Sequence, residues 1–111
     1  MVARVYYPGL DSFPQKALAE RQQASFGAML SFELKAGPQE AIAVMNAMKL
    51  WIRAESLGGV ESLVTRPAAS SHAGLSPEER ARIGIGDGLV RVSIGLEAPE
   101  DLIEDFGKAL G

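Results

Sequence analysis

The segment Leu89-Val90-Arg91-Val92-Ser93-Ile94-Gly95-Leu96-Glu97 alternates branched apolar residues with smaller or polar ones. Successive side chains on a β-strand point to opposite faces of the sheet. One face is therefore expected to carry four apolar side chains: Val90, Val92, Ile94 and Leu96. The other face is expected to carry a mixed set: Leu89, Arg91, Ser93 and Gly95. The alternation predicts a strand that buries one face and presents a guanidinium on the other.

Arg91 needs a partner in such a strand, because a buried charge without one costs free energy. The planar fork of guanidinium donors matches a carboxylate best. From the residues alone, the commoner arrangement is a salt bridge with Asp87 or Glu97 of the same chain. The alternative is that Arg91 binds the carboxylate of a ligand. The spacing of the residues leaves both interpretations open.

A second informative segment is Ala54-Glu55-Ser56-Leu57-Gly58-Gly59-Val60-Glu61-Ser62, which follows an apolar run at residues 50–52. Glycine reaches backbone angles that other residues avoid, so Gly58-Gly59 predicts a bend where the backbone can approach a small ligand. Ser56 offers a hydrogen-bond donor and acceptor just before that bend. A serine in such a place most often bonds to the backbone of its own turn.

Strands alternate with helices along the chain. Strands are predicted at residues 2–7, 29–35, 50–55, 61–66 and 89–94, and a loop at 68–74. Helices are predicted at residues 14–23, 39–48, 77–83 and 99–110. Ser12 is expected to cap the first helix, and a capping box of Ser76 and Glu79 the third. This order predicts a two-layer α/β sandwich.

Helical spacing also assigns the inward faces of the second and fourth helices. The side chains expected to face the core are Ala41, Val44, Met45 and Met48, followed by Leu102, Ile103, Phe106, Ala109 and Leu110.

Composition limits the possible classes of protein. A length of 111 residues fits one domain, and a net charge of −3 argues against nucleic acid as a partner. The absence of cysteine and the presence of a single histidine, His72, give no disulfide and no metal-ligand pattern. No apolar run approaches the ~20 residues of a membrane helix, and no leader pattern is visible. We therefore expect a cytoplasmic protein without a membrane partner.

Several motifs occur together, in one order, along essentially the whole chain. They are VYYPGL at 5–10, RQ at 21–22, FGAMLSFEL at 26–34, ESLGGVES at 55–62, RPAASSHA at 66–73, SPEER at 76–80 and LVRVSIGLE at 89–97. This set resembles the C-terminal domain of the pyridoxal-phosphate (PLP) enzymes of cysteine and methionine metabolism. That family contains cystathionine γ-synthase, cystathionine γ-lyase and methionine γ-lyase.

The resemblance implies an α/β (α+β) fold: a mainly antiparallel sheet with helices on one face, as in the small domain of fold-type I PLP enzymes. It further implies that residues 1–111 form a single C-terminal, substrate-binding domain, and that the large PLP-binding domain is absent. Members of the family are several times longer than this chain.

The same resemblance implies a role for individual residues. Arg91 matches the arginine that holds the α-carboxylate of the amino-acid substrate, and Ser56 with the Leu57 backbone matches its second anchor. An acid at Glu55 is typical of members that handle cystathionine, where it can meet the distal ammonium group. Ser71 keeps the hydroxyl of the family's Met-Thr pair, whereas Ser70 departs from it.

PLP chemistry requires a lysine that forms a Schiff base with the cofactor. In the family that lysine follows a Ser-x-Thr sequence, and none of the four lysines here has this context. We therefore expect no cofactor on the isolated chain, no turnover, and an apolar surface that favours self-association. The substrate of the complete enzyme would be cystathionine or a homoserine ester. The alternative is a stand-alone amino-acid-binding or regulatory module without a cofactor.

Overall fold

The computed structural model describes residues 1–111 and contains one five-stranded sheet. The strands are β1 (Val2–Tyr6), β2 (Met29–Leu34), β3 (Ile52–Arg53), β4 (Leu63–Thr65) and β5 (Leu89–Ser93). Their order across the sheet is β1-β2-β5-β4-β3. All neighbouring strands are antiparallel except β3 and β4, which are parallel. The strand that contains Arg91 is therefore the central one.

Four α-helices connect and cover the strands. They are α1 (Lys16–Gln22), α2 (Pro38–Ala47), α3 (Pro77–Arg82) and α4 (Pro99–Leu110), and a short 3-10 helix spans Pro67–Ala69. None of these helices is long and apolar enough to cross a membrane.

The core lies between one face of the sheet and helices α2 and α4. In the register of the sheet, Phe32 lies opposite Val90, and Val92 lies between Leu30 and Val64. Phe106 of α4 packs edge-on against Phe32, with ring centroids 5.2 Å apart. Burying each large apolar side chain of this kind contributes roughly 1.5–3 kcal/mol. The predicted α/β fold, with a mainly antiparallel sheet and helices on one face, is confirmed.

Helix α4 is fixed to the end of α2 by a side chain that the pattern of the sequence did not single out. The Asp105 carboxylate accepts hydrogen bonds from the backbone N–H groups of Lys49 (2.9 Å) and Leu50 (3.0 Å). Both N–H groups follow the last residue of α2, so one carboxylate sets the position of α4 relative to α2.

The local sequence signals for several elements are confirmed. The Ser76 hydroxyl accepts from the Glu79 backbone N–H at 3.2 Å, and the Glu79 carboxylate accepts from the Ser76 N–H. This is the expected capping box at the start of α3. The expected inward residues of α2 are buried.

Other expectations are wrong. Helix α1 begins at Lys16 without a side-chain cap, so Ser12 does not cap it; turns occupy the preceding residues. Ile103 is 72% exposed, so the face of α4 that packs on the core includes Leu102 but not its neighbour. Leu96 is 81% exposed because β5 ends at Ser93, so the alternation of faces no longer applies. The expected loop at 68–74 contains part of the 3-10 helix, and β3 is two residues long.

Candidate functional site

Arg91 lies at the middle of β5, on the sheet face opposite the core. Its register partners are Ser31 on β2 and Thr65 on β4, so three polar residues form a row across the three central strands. Val90 and Val92, its neighbours along the strand, are buried on the helix side. Arg91 itself is half-buried. The alternation read from the sequence therefore places the guanidinium as expected, on the side that no α-helix covers.

The partners of Arg91 within the chain are backbone carbonyl groups. One terminal nitrogen, Nη2, donates to the carbonyl oxygens of Glu55 and of Ser56, the latter at 3.3 Å. Carbonyl oxygens accept hydrogen bonds but carry no net charge, so the cation is held in place without being neutralised. The rest of the guanidinium fork remains available to an anion, for which two parallel hydrogen bonds are the favoured geometry.

Neither acid that the sequence offered as an internal partner pairs with Arg91. Asp87 accepts from Arg80 instead, at 3.4 Å. The Glu97 carboxylate binds the backbone N–H and the hydroxyl of Ser62, at 2.9 and 2.8 Å. The salt-bridge interpretation of Arg91 is therefore wrong.

The segment from Glu55 to Gly58 lies beside the guanidinium and is exposed. Gly58 has a φ of 75°, in the left-handed region that favours glycine. Its backbone N–H donates to the Ser93 hydroxyl at 3.1 Å, two residues along β5 from Arg91. The bend predicted from the glycine pair thus brings the Ser56 and Leu57 backbone next to the same face of β5.

The hydroxyl groups near residue 70 are arranged differently from the sequence expectation. Ser70 Oγ lies 2.8 Å from Thr65 Oγ1, directly beside Arg91 in the sheet register. Ser71 Oγ is exposed and lies 2.8 Å from Nδ1 of His72. The structure therefore brings Ser70, rather than Ser71, into contact with the polar row, and the His72 ring bonds to Ser71.

Glu55 also lines a cavity of about 310 Å³ at the β3–β4 edge of the sheet. Thr65 and Ser70 line the same cavity, whereas Arg91 does not. The Glu55 side chain is exposed, and only its backbone carbonyl is bound to Arg91. Its carboxylate is thus free to meet a group that enters from this edge.

Glu97 and Ser62 form a contact that the sequence reasoning missed. The hydrogen bonds from the Ser62 backbone N–H, the N–H of Glu97 itself and the Ser62 hydroxyl hold the pKa of the Glu97 carboxyl below its usual range. The Ser62 hydroxyl in turn accepts from the Gly95 N–H at 2.9 Å. A glycine inside a strand pattern indicates a close backbone approach, and Gly95 was the signal that pointed here.

The whole chain is similar to a known family of enzymes. The profile of the family described as Cys/Met metabolism PLP-dependent enzyme matches residues 1–111. The chain belongs to this family. The sequence resemblance is confirmed over its full extent.

Individual relatives agree with that membership. L-methionine gamma-lyase of Pseudomonas putida is 50% identical over 109 residues, which are 98% of this chain and 27% of the relative. Cystathionine gamma-lyase of Bacillus subtilis is 47% identical over 110 residues, 98% of this chain and 28% of the relative. The crystal structure of cystathionine gamma synthase from Xanthomonas oryzae pv. oryzae in complex with cystathionine superposes with a TM-score of 0.93 and 51% identity, over 99% of this chain and 28% of that one. The chain thus spans about 28% of the length of these relatives.

The family uses PLP, but the lysines of this chain do not fit a Schiff-base site. Lys16 lies next to Asp11 and Lys108 next to Glu104, and these carboxylates raise the pKa of both ammonium groups. A Schiff-base lysine requires the opposite shift, because its neutral amine is the nucleophile. None of the four lysines, at positions 16, 35, 49 and 108, lies on β5 or in the segment from Glu55 to Gly58.

Proposed function

We propose that this chain is the C-terminal, substrate-carboxylate-binding domain of a PLP-dependent cystathionine γ-lyase or γ-synthase of trans-sulfuration. The observation that carries the proposal is the state of Arg91: a half-buried guanidinium held by two backbone carbonyls and not neutralised by an acid, on the sheet face opposite the core. Membership of the family supplies the class of ligand, an amino acid.

Each candidate residue has a distinct proposed role. Arg91 binds the α-carboxylate through the part of its fork that the carbonyls leave free. Ser56, with the Leu57 backbone, supplies the second anchor, because this segment already lies against β5. Glu55 meets the distal ammonium group of a substrate such as cystathionine. Ser71 contributes a hydroxyl from the neighbouring loop once that hydroxyl leaves His72, to which it bonds in the structure.

The chemical step belongs to a part of the enzyme that these residues do not supply. PLP, when bound, acts as the electron sink for bond cleavage next to the amino group. We propose that the large PLP-binding domain holds it, and that the isolated chain binds no cofactor and has no turnover. Arg91 and Ser56 contribute by orienting the amino acid, which accounts for a large share of the rate enhancement in such sites. A cytoplasmic location fits this role.

A titration of the chain tests the carboxylate site. Binding of L-cystathionine, L-methionine and L-homoserine is measured by calorimetry, with L-methionine methyl ester as the matched ligand that lacks the acid. We expect Arg91→Ala to weaken binding of the free acids about tenfold or more and to leave the ester unaffected, because a charge-assisted bidentate contact is lost. Arg82→Ala, which removes an exposed arginine of α3, is the control. Equal affinities of wild type and Arg91→Ala for the acids would refute the site.

A complementation experiment tests the link to PLP chemistry. The chain is mixed with PLP and the separately produced N-terminal part of the Pseudomonas putida L-methionine gamma-lyase. We expect visible cofactor absorbance together with turnover for wild type, and absorbance without turnover for Arg91→Ala. Turnover by the chain alone would contradict the proposal.

A second candidate is a stand-alone amino-acid-binding or regulatory module. It is favoured by the fact that Arg91 and the carbonyls that hold it all come from this chain. Saturable thermal stabilisation by L-methionine without any cofactor, combined with no complementation, would favour this module over the enzyme domain.

Self-association is the remaining part of the proposal. Leu57, Val60 and Leu96 are 56, 62 and 81% exposed, and a hydrogen bond from the Leu96 N–H to the Val60 carbonyl makes the last two neighbours. Exposed apolar surface of this kind promotes association. We expect light scattering to show a concentration-dependent mass that Leu96→Ser reduces and Ile83→Ser, an exposed apolar control at the C-terminal end of α3, does not. A clean monomer at high concentration would rule this part out.

A further inference from the structure

The segment that holds Arg91 is attached to β5 and its extension at several points. The Gly58 N–H donates to the Ser93 hydroxyl at 3.1 Å, and the Leu96 N–H donates to the Val60 carbonyl at 2.8 Å. Beyond them, Ser62 bonds to both Gly95 and Glu97. The loop from 56 to 62 is thereby bound at Gly58, Val60 and Ser62.

The attachment at Ser62 is the tightest of these contacts. Ser62 has no exposed surface, and its hydroxyl donates to Glu97 while it accepts from the Gly95 N–H. A Cβ atom on Gly95 would lie 2.6 Å from the Glu61 carbonyl carbon and 2.7 Å from the Ser62 nitrogen. The two backbones therefore cross with no space between them, and the Glu97 carboxylate closes the crossing with two hydrogen bonds to one residue.

The carbonyl groups that accept hydrogen bonds from the Arg91 guanidinium lie at the other end of the same loop. Nη2 of Arg91 donates to the carbonyl oxygens of Glu55 and Ser56, and neither contact involves a side chain of the loop. The direction of the guanidinium therefore depends on where the loop backbone lies. Apart from Arg91 itself, the only charged side chain that bonds to this loop from β5 or its extension is the Glu97 carboxylate.

We propose that Glu97 is a positioning residue for Arg91: through Ser62 it fixes the loop whose carbonyl groups aim the guanidinium. The proposal rests on the proposed function only where it concerns ligand affinity, because the direction of the Arg91 side chain is observable without a ligand. Glu97 does not touch the candidate carboxylate site itself, so its effect must pass through the loop.

Nuclear magnetic resonance of the full chain tests this. The variants are Glu97→Ala, Glu97→Gln, which keeps one acceptor oxygen, and the control Glu61→Gln in the same loop. The readouts are the Arg91 guanidinium proton signals and the amide exchange of Gly58 and Gly95. In Glu97→Ala we expect the Arg91 signals to shift and broaden and the exchange of Gly58 to rise about tenfold or more, while Val90 and Val92 keep their protection. Glu97→Gln is expected to be intermediate, and Glu61→Gln unchanged.

The affinity for L-methionine provides the second readout. We expect Glu97→Ala to weaken it severalfold at a temperature where the variant is fully folded. Unchanged Arg91 signals and unchanged affinity in a folded Glu97→Ala or Glu97→Gln variant would overturn the proposal, even if the melting temperature fell. If wild type binds no L-methionine, the carboxylate site fails, while the Arg91 signals still decide the role of Glu97.

Discussion

The backbone N–H of Gly95 donates a hydrogen bond to the hydroxyl of Ser62 at 2.9 Å. At this point the backbone segments around Gly95 and around residues 60–62 cross without room for a side chain on Gly95. This contact joins the extension of β5, the strand that bears Arg91, to the loop that bears its carbonyl acceptors. The contact therefore connects the candidate site to a backbone crossing that lies outside the site.

Alanine substitutions at two glycines, one at the crossing and one in α4, are expected to have opposite effects on the free energy of unfolding. Gly95→Ala places a Cβ against backbone atoms of residues 60–62, which cannot move aside as a flexible side chain can, so we expect a loss of about 2–3 kcal/mol of unfolding free energy. Gly107→Ala adds a Cβ with nothing within 4 Å in the interior of α4 and should stabilise by about 0.5–1 kcal/mol. Urea unfolding measures both. A Gly95→Ala variant as stable as wild type would mean that the crossing is looser than described.

Glu97 predicts a specific dependence of stability on pH. Its pKa is lowered from 4.5 in the folded chain, chiefly by the Ser62 backbone N–H, so the unfolded chain binds more protons in this range. The stabilising contribution is therefore complete above pH 4.5 and is lost as the pH falls through the lowered folded pKa.

Glu97→Gln should accordingly be less stable than wild type at pH 7, and the difference between them should shrink below pH 4.5. Thermal unfolding between pH 7 and pH 3 measures this, with Glu61→Gln as a control in the same loop. A difference that stays constant down to pH 3 would contradict the assignment.

Neighbouring residues of α4 test how the helix faces the sheet. Leu102 is 5% exposed and belongs to the core cluster, whereas Ile103 is 72% exposed. Leu102→Ala should cost about 2–5 kcal/mol of unfolding free energy through the lost burial and the cavity it leaves. Ile103→Ala should change it by no more than about 0.5 kcal/mol, as expected for a surface position. Comparable losses in both variants would place Ile103 in a covered surface of an assembly.

Glu55 predicts substrate preference. Glu55→Val replaces the exposed carboxylate by an apolar side chain. We expect it to weaken the binding of L-cystathionine severalfold, because the distal ammonium loses its charged partner, and to leave the binding of L-methionine nearly unchanged. Glu55→Gln, which keeps the shape, separates charge from size. The ratio of the two dissociation constants is the measurement. A uniform loss for both ligands would show that Glu55 acts only through its backbone carbonyl.

Features that depend on residues close together in the chain could be predicted from the sequence. Alternation in 89–94 placed Arg91 on the face away from Val90 and Val92, and the Ser76–Glu79 spacing located the start of α3. The motifs from residue 5 to residue 97 established the family and, with it, the antiparallel sheet. Such predictions succeed because the alternation of side chains along a strand and the capping of a helix depend only on residues close together in the chain.

Contacts between distant segments became visible only in the folded protein. The sequence offered Asp87 and Glu97 as partners of Arg91, yet Glu97 binds Ser62 and the guanidinium binds carbonyls some 35 residues earlier in the chain. Backbone carbonyls are present at every residue, so no sequence pattern could name these two. The exposure of Leu96 likewise depends on where β5 ends, and that of Ile103 on which face of α4 packs against the core. The physical reason is the same in each case: spacing along the chain fixes the direction of a side chain, but packing between segments fixes what that side chain contacts.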